Sequence, residues 1–502
     1  MEVKTTKKIK DIFKFFSLLY VFSATLNLAA QTTNIEKQEI IAKRFITAYN
    51  QKNYKELKNY LFLPARMLVS EKKLEESFAE INDNWGKFTV GKLTHQTNSK
   101  LIAQLTSERD STETESFIFS FNKRNKIISF FIKNIDFIYP DSNDISKTIL
   151  TTQAKIHKID SLIYIKNNRG HFNGCVLVID SGQVIYEKCY GYSNFENKSI
   201  LNDSSMFELA SCSKQFTAFA IMMLSEEGKL NISDNIQKYI PEIPYNNITI
   251  ENLLTHTSGL PDYMSEFDKY WDKKNFATNK DIVDVLKNHK PKLYFKPGEN
   301  FDYSNTGYAL LSLIIEKVSN NTYSDFLEDK IFKPNGMRNT RIYNTRRSRA
   351  ETINNYAYGY IYSDSLKKHI MPDSLRNYQY VVYLDAITGD GAVNTTISDL
   401  AKWDKCLREY ALVKKSTMEI VNSNYKLKNG QKTDYGFGVF VIDKKGAKRI
   451  VHHGGSWPGY HTFILRFLDT NKTIAILSNN EYISFTQLAD KISKILLNIS
   501  IE

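Results

Sequence analysis

Cysteine is scarce in this sequence of 502 residues, which contains only Cys175, Cys189, Cys212 and Cys406. None of them forms a C-x-x-C pair, and no set of cysteines and histidines has the spacing of a zinc finger. We therefore expect buried or inert thiols, and the sequence leaves open whether Cys175 and Cys189 pair. Because 42% of the residues are apolar, a chain of this length can bury a large core without disulfides.

Several common catalytic and nucleotide-binding motifs are also absent. The sequence has no H-E-x-x-H, no P-loop, no G-x-S-x-G and no strand-borne G-x-G-x-x-G. Zincins, P-loop NTPases, α/β-hydrolases and Rossmann enzymes are therefore excluded as first interpretations. The adjacent His452 and His453 lack a third ligand at suitable spacing, so we predict no metal and no other cofactor.

Positive charge is abundant but is not concentrated in one block. The chain has 67 Lys and Arg against 55 Asp and Glu, a formal net charge of +12, spread along its whole length. A nucleic-acid-binding protein usually has a basic stripe or a known binding module. We predict a cationic surface and no nucleic-acid partner.

Long apolar runs are missing after residue 30, so no membrane span is predicted there. Residues 1–30 have a lysine-rich start, an apolar stretch from Phe15 to Leu28 and small residues at Ala29 and Ala30. This layout is typical of a secretory signal peptide, whereas an uncleaved anchor helix is the alternative. The mature protein is predicted to be periplasmic or secreted.

The remaining chain is predicted to contain two domains joined by a linker. Residues 31–137 show helical periodicity followed by alternating strands, which predicts a small α+β domain. Its order of elements weakly resembles the cone-shaped accessory domains of the nuclear-transport-factor type. Residues 138–155 lack periodicity and predict a linker. Residues 156–502 begin with a helix and a hairpin, continue with helices and end with strands, which predicts one antiparallel sheet flanked by helices with a helical subdomain.

Three separated motifs in the second domain combine residues that suit nucleophilic catalysis. Ser211 and Lys214 lie three residues apart at the start of an apolar helix, where a lysine can accept the serine proton. Tyr303 and Asn305 lie two apart beside a turn and offer a phenol and an amide. The third motif runs from His452 to Tyr460, where Gly454 and Gly455 permit close approach of the backbone. Taken alone, S-x-x-K or Y-x-N is weak evidence for a catalytic site.

Taken in this order, the motifs resemble those of the serine β-lactamase and penicillin-binding-protein superfamily, most closely its class C and D,D-peptidase-like branch. That pattern is S-x-x-K, then Y-x-N, then K-T-G or H-x-G. Further stretches similar to this branch are Leu253 to Leu260, Gly389 to Trp403 and Tyr435 to Gly438. The resemblance covers essentially all of residues 156–500.

The resemblance implies a role for each matching residue. Ser211 is the acylated nucleophile, Lys214 activates it, and Tyr303 acts with Lys214 in proton transfer. The N–H groups of Ser211 and Ser456 form the oxyanion hole. The substrate-binding residues implied are Asn305 on the acyl side, His453 near the leaving group or carboxylate, and Gly455. His256, Glu208 and Cys212 are expected to serve structure.

These residues predict an exported serine hydrolase that forms an acyl-enzyme with a small-molecule or peptide substrate, and material derived from the cell wall is the expected source. D-amino-acid peptides, β-lactams and small esters are the candidate substrates. A slow or silent penicillin-binding sensor is one rival, and a ligand-binding function of the first domain is another. Because His453 replaces the common lysine, we expect weak activity on β-lactams and a gain on carboxylate substrates as the pH falls toward 6.

Overall fold

The computed structural model describes most of the chain. The described residues are 35–61, 70–72, 74–75, 78, 86–97, 99–108, 114–122, 124–132, 149–342, 353–363, 366, 368–444, 448–480 and 485–499. The predicted signal peptide and residues 138–148 of the predicted linker lie outside them. The chain divides into two compact units, Met1–Asp136 and Phe137–Glu502. No helix in the described part of the chain is long and apolar enough to cross a bilayer.

The first unit is an α+β arrangement with an aromatic core. Its elements are α1 (Ile35–Asn50), α2 (Tyr54–Tyr60), β1 (Phe88–Thr97), β2 (Lys100–Ser107), β3 (Thr114–Phe121) and β4 (Ile127–Ile132). The four strands form an antiparallel meander in chain order. Phe45 and Tyr49 of α1 pack against Phe117 and Phe119 of β3 in one buried cluster. The likeness to the nuclear-transport-factor type stays a prediction.

The second unit opens with a helix and a run of strands that lead to a short 3-10 turn (Ala210–Ser213). These elements are α3 (Thr152–Asn168), β5 (Gly174–Asp180), β6 (Gln183–Tyr190), β7 (Tyr192–Asn194), β8 (Ser199–Ile200) and β9 (Phe207–Glu208). Helix α3 begins four residues earlier than expected because the Thr151 side chain accepts a hydrogen bond from Ala154 N and caps it.

A helical region follows the turn. Its helices are α4 (Lys214–Glu226), α5 (Ile250–Leu254), α6 (Tyr263–Tyr270), α7 (Asn279–His289), α8 (Asn305–Ser319), α9 (Tyr323–Leu327), α10 (Tyr380–Tyr383), α11 (Ile397–Arg408) and α12 (Lys415–Val421). Short strands lie among them: β10 (Arg341–Ile342), β11 (Ile361–Ser363), β12 (Lys368–Ile370) and β13 (Val393–Thr395). The unit ends with β14 (Phe440–Lys444), β15 (Lys448–Trp457), β16 (Tyr460–Phe467), β17 (Lys472–Ser478) and α13 (Phe485–Leu496).

Both ends of the second unit contribute to one six-stranded antiparallel sheet. Its order is β14-β15-β16-β17-β5-β6, so the last strand pairs with the first strand of the unit. Strands β5, β16 and β17 are buried along almost their whole length. Helices α3 and α13 pack together against the sheet, and α11 packs against β5, β6 and β17. This arrangement confirms the predicted antiparallel sheet flanked by helices.

The hairpin at the edge of this sheet corrects the expectation for two cysteines. Cys175 of β5 lies directly opposite Cys189 of β6, and the two form a disulfide. The expectation of inert thiols is therefore wrong for this pair, because the hairpin register brings together two residues that are 14 apart in sequence. Cys212 and Cys406 are buried thiols.

Candidate active site

Ser211 lies in the tight turn Ala210–Ser213, which leads directly into helix α4. Ala210 has a φ of +48°, a left-handed conformation that costs a residue with a Cβ about 1–2 kcal/mol. Neighbouring elements hold the turn, since Leu209 N donates to Val393 O at 2.8 Å and Thr462 Oγ1 donates to Leu209 O at 2.7 Å. Ser211 is thus placed at the partly exposed start of a buried helix.

Lys214 is completely buried, and its amine lies beside the serine hydroxyl. Nζ is 3.1 Å from Ser211 Oγ, 2.9 Å from Asn305 Oδ1 and 2.7 Å from Asp390 O. A neutral amine has two N–H donors and one lone pair. If Asn305 and Asp390 accept those two hydrogens, the lone pair faces Ser211 Oγ and can accept its proton.

Tyr303 and Asn305 enter the site from the segment that begins helix α8. Lys214 Nζ lies 5.0 Å from the centroid of the Tyr303 ring. His256 holds this segment, because its Nδ1 accepts a hydrogen bond from Ser304 N at 3.1 Å and its ring lies 4.2 Å from that of Tyr303. The structural role expected for His256 agrees with these contacts.

Asn305 binds protein groups on both sides of its amide. Its Oδ1 accepts from Lys214, and its Nδ2 donates to Asp262 Oδ2 at 3.5 Å. Asp262 also caps helix α6 by accepting from Met264 N. The amide therefore positions the Lys214 amine, and its contact with an acyl side chain stays a prediction.

Strand β15 carries the third motif to the nucleophile turn. A Cβ at Gly455 would lie 2.1 Å from Leu209 O and 2.3 Å from Thr462 Oγ1, so only glycine allows this close approach. Cys212 adds a second link, since its Sγ lies 3.1 Å from His453 O. The strand that carries Ser456 thus packs against the turn that carries Ser211, as a shared oxyanion hole requires. Contact between Gly455 and substrate stays a prediction.

His453 is buried and neutral, contrary to the expectation that it gains charge near pH 6. It is 2% exposed, its Nε2 lies 3.1 Å from Tyr435 Oη, and its Nδ1 donates to Gly454 O at 2.7 Å. Burial and then the charge of Lys214 lower the pKa of His453 to about 3. The expected gain of carboxylate substrates toward pH 6 is therefore wrong as an effect of His453.

Neighbouring histidines offer no metal centre. Burial lowers the pKa of His452 to about 4, and its ring stacks on Phe440. Within the described ranges, no group of three or more His, Cys, Asp or Glu side chains is placed to hold a metal ion.

Three residues that surround this centre were assigned no individual role from the sequence, namely Tyr263, Tyr435 and Asp390. Tyr435 is completely buried and covers His453. Tyr263 Oη donates to Asp390 Oδ2 at 2.9 Å, and the main-chain carbonyl of Asp390 accepts from Lys214 Nζ. The sequence signals for Asp390 were its position between two glycines and its place in the Gly389 to Trp403 stretch that resembles the family.

Comparisons with known proteins identify the family of the second unit. Residues 160–496 match the Beta-lactamase family. Penicillin-binding protein 4* of Bacillus subtilis (strain 168) is 44% identical over 329 residues, 66% of this chain and 73% of that protein. Protein flp of Staphylococcus aureus (strain MW2) is 29% identical over 345 residues, 66% of this chain and 65% of that protein, slightly less than two thirds of its length.

Solved structures show the same fold. The octameric penicillin-binding protein homologue from Pyrococcus abyssi aligns with a TM-score of 0.59 at 29% identity, over 69% of this chain and 78% of that one. The D-amino acid amidase from Ochrobactrum anthropi SV3 aligns with a TM-score of 0.55 at 23% identity, over 69% and 99% of the two chains, and shows the fold alone. The resemblance seen in the three motifs is confirmed, and the chain belongs to the beta-lactamase family.

Proposed function

We propose that this protein hydrolyses an amide or ester through an acyl-enzyme on Ser211. The observation that carries the proposal is the placement of the Lys214 amine, which is 3.1 Å from Ser211 Oγ and held by Asn305 and Asp390. A buried amine oriented in this way is a general base in contact with its nucleophile.

The reaction then follows from the positions of these groups. Lys214 takes the proton of Ser211 Oγ while the oxygen attacks the substrate carbonyl carbon. The N–H groups of Ser211 and Ser456 bind the resulting oxyanion, and one such donor typically contributes about a hundredfold or more in rate. Lys214 and Tyr303 pass the proton to the leaving nitrogen or oxygen. A water molecule then attacks the acyl carbon and loses a proton to the same groups. The bond from that carbon to Ser211 Oγ breaks, and Oγ takes the proton back, which restores the serine hydroxyl.

Because His453 is neutral, we expect a preference for substrates that have no carboxylate in the part that faces His453. A lysine there would offer a full charge at neutral pH, whereas the His453 ring is already occupied by Tyr435 and Gly454. A charge-assisted contact is worth about 1.5–3 kcal/mol, or roughly ten- to a hundredfold in rate. Small esters and peptides whose leaving group carries no carboxylate are therefore proposed ahead of β-lactams.

Export is part of the proposal. The Cys175–Cys189 disulfide favours an oxidising compartment, because the cytosol keeps most thiols reduced. The lysine-rich, apolar start of the sequence provides the route as a signal peptide. A periplasmic or secreted enzyme would meet wall-derived peptides.

The test is covalent labelling of the purified protein with a fluorophosphonate and with a penicillin, read by intact mass. Wild type should gain one adduct at Ser211, and Ser211→Ala should gain none. Lys214→Ala and Tyr303→Phe should each slow labelling strongly, and their effects should not add because both residues serve one proton transfer. Equal labelling of wild type and Ser211→Ala would contradict the proposal.

A slow penicillin-binding protein is the second candidate, favoured by the name of the 44% identical relative. The same experiment separates the two functions. A penicillin adduct that persists for hours, together with no turnover of D-alanyl peptides or nitrophenyl esters, would identify a binding protein. Loss of the adduct within minutes and Ser211-dependent turnover would identify a hydrolase.

A further inference from the structure

Asp390 is a buried carboxyl group that the steps above do not use. It is 9% exposed and lies between Gly389 and Gly391, on the segment that leads into β13. Its main-chain carbonyl accepts a hydrogen bond from Lys214 Nζ at 2.7 Å. Its side chain points to helix α6, where Tyr263 Oη donates to Oδ2 at 2.9 Å. One residue thus contacts the catalytic amine through its backbone and places a carboxyl group close by.

The charged and titratable groups that face Asp390 come from three elements. They are Lys214 of α4, Tyr263 of α6 with its cap Asp262, and Tyr323 of α9. Burial raises the pKa of Asp390 to about 6, although the charge of Lys214 and the Tyr263 hydrogen bond act in the opposite direction. Burial also raises the pKa values of Tyr263 and Tyr323, so both remain phenols. Above pH 6 the lysine therefore has a buried anion beside it.

The acylation step creates a charge that needs such an anion. The proton that leaves Ser211 Oγ becomes bound to Lys214 Nζ, which turns a neutral amine into a buried ammonium. Positive charge in a poorly solvated site is unfavourable unless an opposite charge lies nearby. Asp390 is placed to supply that charge.

We propose that Asp390 is a positioning residue that acts through Lys214. Its carbonyl fixes the amine beside Ser211, and its carboxylate stabilises the positive charge that Lys214 acquires with the serine proton. The inference rests on the proposed function, because it assigns the role of Asp390 within the same acylation step.

The hydrogen bond with Tyr263 does not require a negative charge on the Asp390 side chain. A neutral amide at this position can accept the same hydrogen bond from Tyr263 through its oxygen, with nearly the same volume. The variant Asp390→Asn therefore removes the charge and keeps the contact. Tyr263→Phe is the matched second variant, because it keeps the carboxyl group and removes the hydroxyl that stabilises its ionised form.

The experiment measures the rate constant for fluorophosphonate labelling of Ser211 from pH 5 to 9. For Asp390→Asn we expect labelling at pH 8 to be about ten- to a hundredfold slower, because the ammonium loses its counter-charge. We also expect the acidic midpoint of the profile to move to lower pH. Without the anion, the group that must be deprotonated for labelling releases its proton more easily. A role limited to packing would lower the rate without moving the midpoint.

Tyr263→Phe should move the midpoint in the same direction by a smaller amount, since less of its Asp390 is ionised near neutral pH. If Asp390→Asn does not fold, Tyr263→Phe alone tests whether the charge of Asp390 acts on Lys214. An acidic midpoint unchanged from wild type in the folded variants would overturn the role of Asp390 while Ser211-dependent labelling leaves the proposed function intact. Labelling of wild type that does not depend on Ser211 would overturn both.

Discussion

Two buried carboxylates in the second unit have opposite electrostatic environments. Asp404 of α11 is 2% exposed and accepts hydrogen bonds from Arg466 Nε at 2.9 Å, Arg408 Nε at 2.7 Å and Thr473 Oγ1 at 2.6 Å. Burial raises the pKa of Asp404, but these partners together outweigh burial and bring it below the ordinary value. Burial raises the pKa of Asp390 to about 6.

The difference shows that partners, rather than depth, decide what a buried acid does. Asp404 joins a helix to two strands of the sheet, and its negative charge is balanced by Arg408 and Arg466. Asp390 has one phenol as a hydrogen-bond donor and a lysine whose charge changes during the proposed reaction. A buried acid that is incompletely compensated beside a catalytic group is a sign of function.

The largest effect that this comparison predicts is on Asp404. The change Asp404→Ala leaves Arg466, itself 6% exposed, buried without its anion. Breaking a buried ion pair in this way costs about 3–5 kcal/mol of unfolding free energy. Urea unfolding should show this loss, while the labelling rate per folded molecule stays near that of wild type. Unchanged stability would contradict the structural role.

Asp390→Asn should have the opposite effect on stability. The pKa of Asp390 is about 6 in the folded protein and near 3.8 in an unfolded chain, so ionisation above pH 4 favours unfolding. At about 1.4 kcal/mol per pKa unit, the amide should stabilise the protein by about 2–3 kcal/mol at pH 7.5.

That advantage depends on pH, with a defined sign. It should be small at pH 3, where Asp390 is mostly protonated in both states, and should grow until about pH 6. Urea unfolding of both proteins at pH 4.5, 6 and 7.5 measures it. A variant that is more stable and labels more slowly would show that the protein maintains this charge for its chemistry. Equal stability of the two proteins at all three pH values would contradict a raised pKa of Asp390 in the folded protein.

The smallest effect concerns one hydrogen bond to Asp404. Thr473→Val replaces the hydroxyl with a methyl group of similar shape and keeps a residue that suits a β-strand. Loss of this bond should cost about 1 kcal/mol at pH 7, and both arginines still pair with the carboxylate. The difference should shrink as the pH falls through the lowered pKa of Asp404. Urea unfolding at pH 3 and pH 7 tests it.

The motifs predicted Ser211, Lys214, Tyr303 and Asn305 as one site from the sequence, because each pair is local and rests on residue chemistry. The antiparallel sheet flanked by helices followed from the periodicity of the second domain. The hairpin of β1 and β2 was missed, although Leu101, Ala103 and Leu105 alternate as buried residues in β2. Here the apolar Ile102, which lies on the less buried face, interrupts the alternation of apolar and polar residues.

Long-range contacts explain the other misses. Asp390 reaches Lys214 across 176 residues of sequence, and no local pattern records that distance. The pKa of His453 depends on burial by other elements, notably Tyr435, so its residue type alone suggested a group that titrates near neutral pH. Contacts between such distant residues form only in the folded chain, so a local sequence pattern does not reveal them.

The central sheet has a consequence for the order of synthesis. Strand β5 pairs with β17, which is made much later, so the six-stranded sheet stays incomplete until β17 has left the ribosome. The turn with Ser211 is also made early, but it packs against β15, which follows more than two hundred residues later. A chain whose synthesis stops before β15 therefore carries the proposed nucleophile without the strand that carries Ser456. The proposed site is assembled only after β15 has been made.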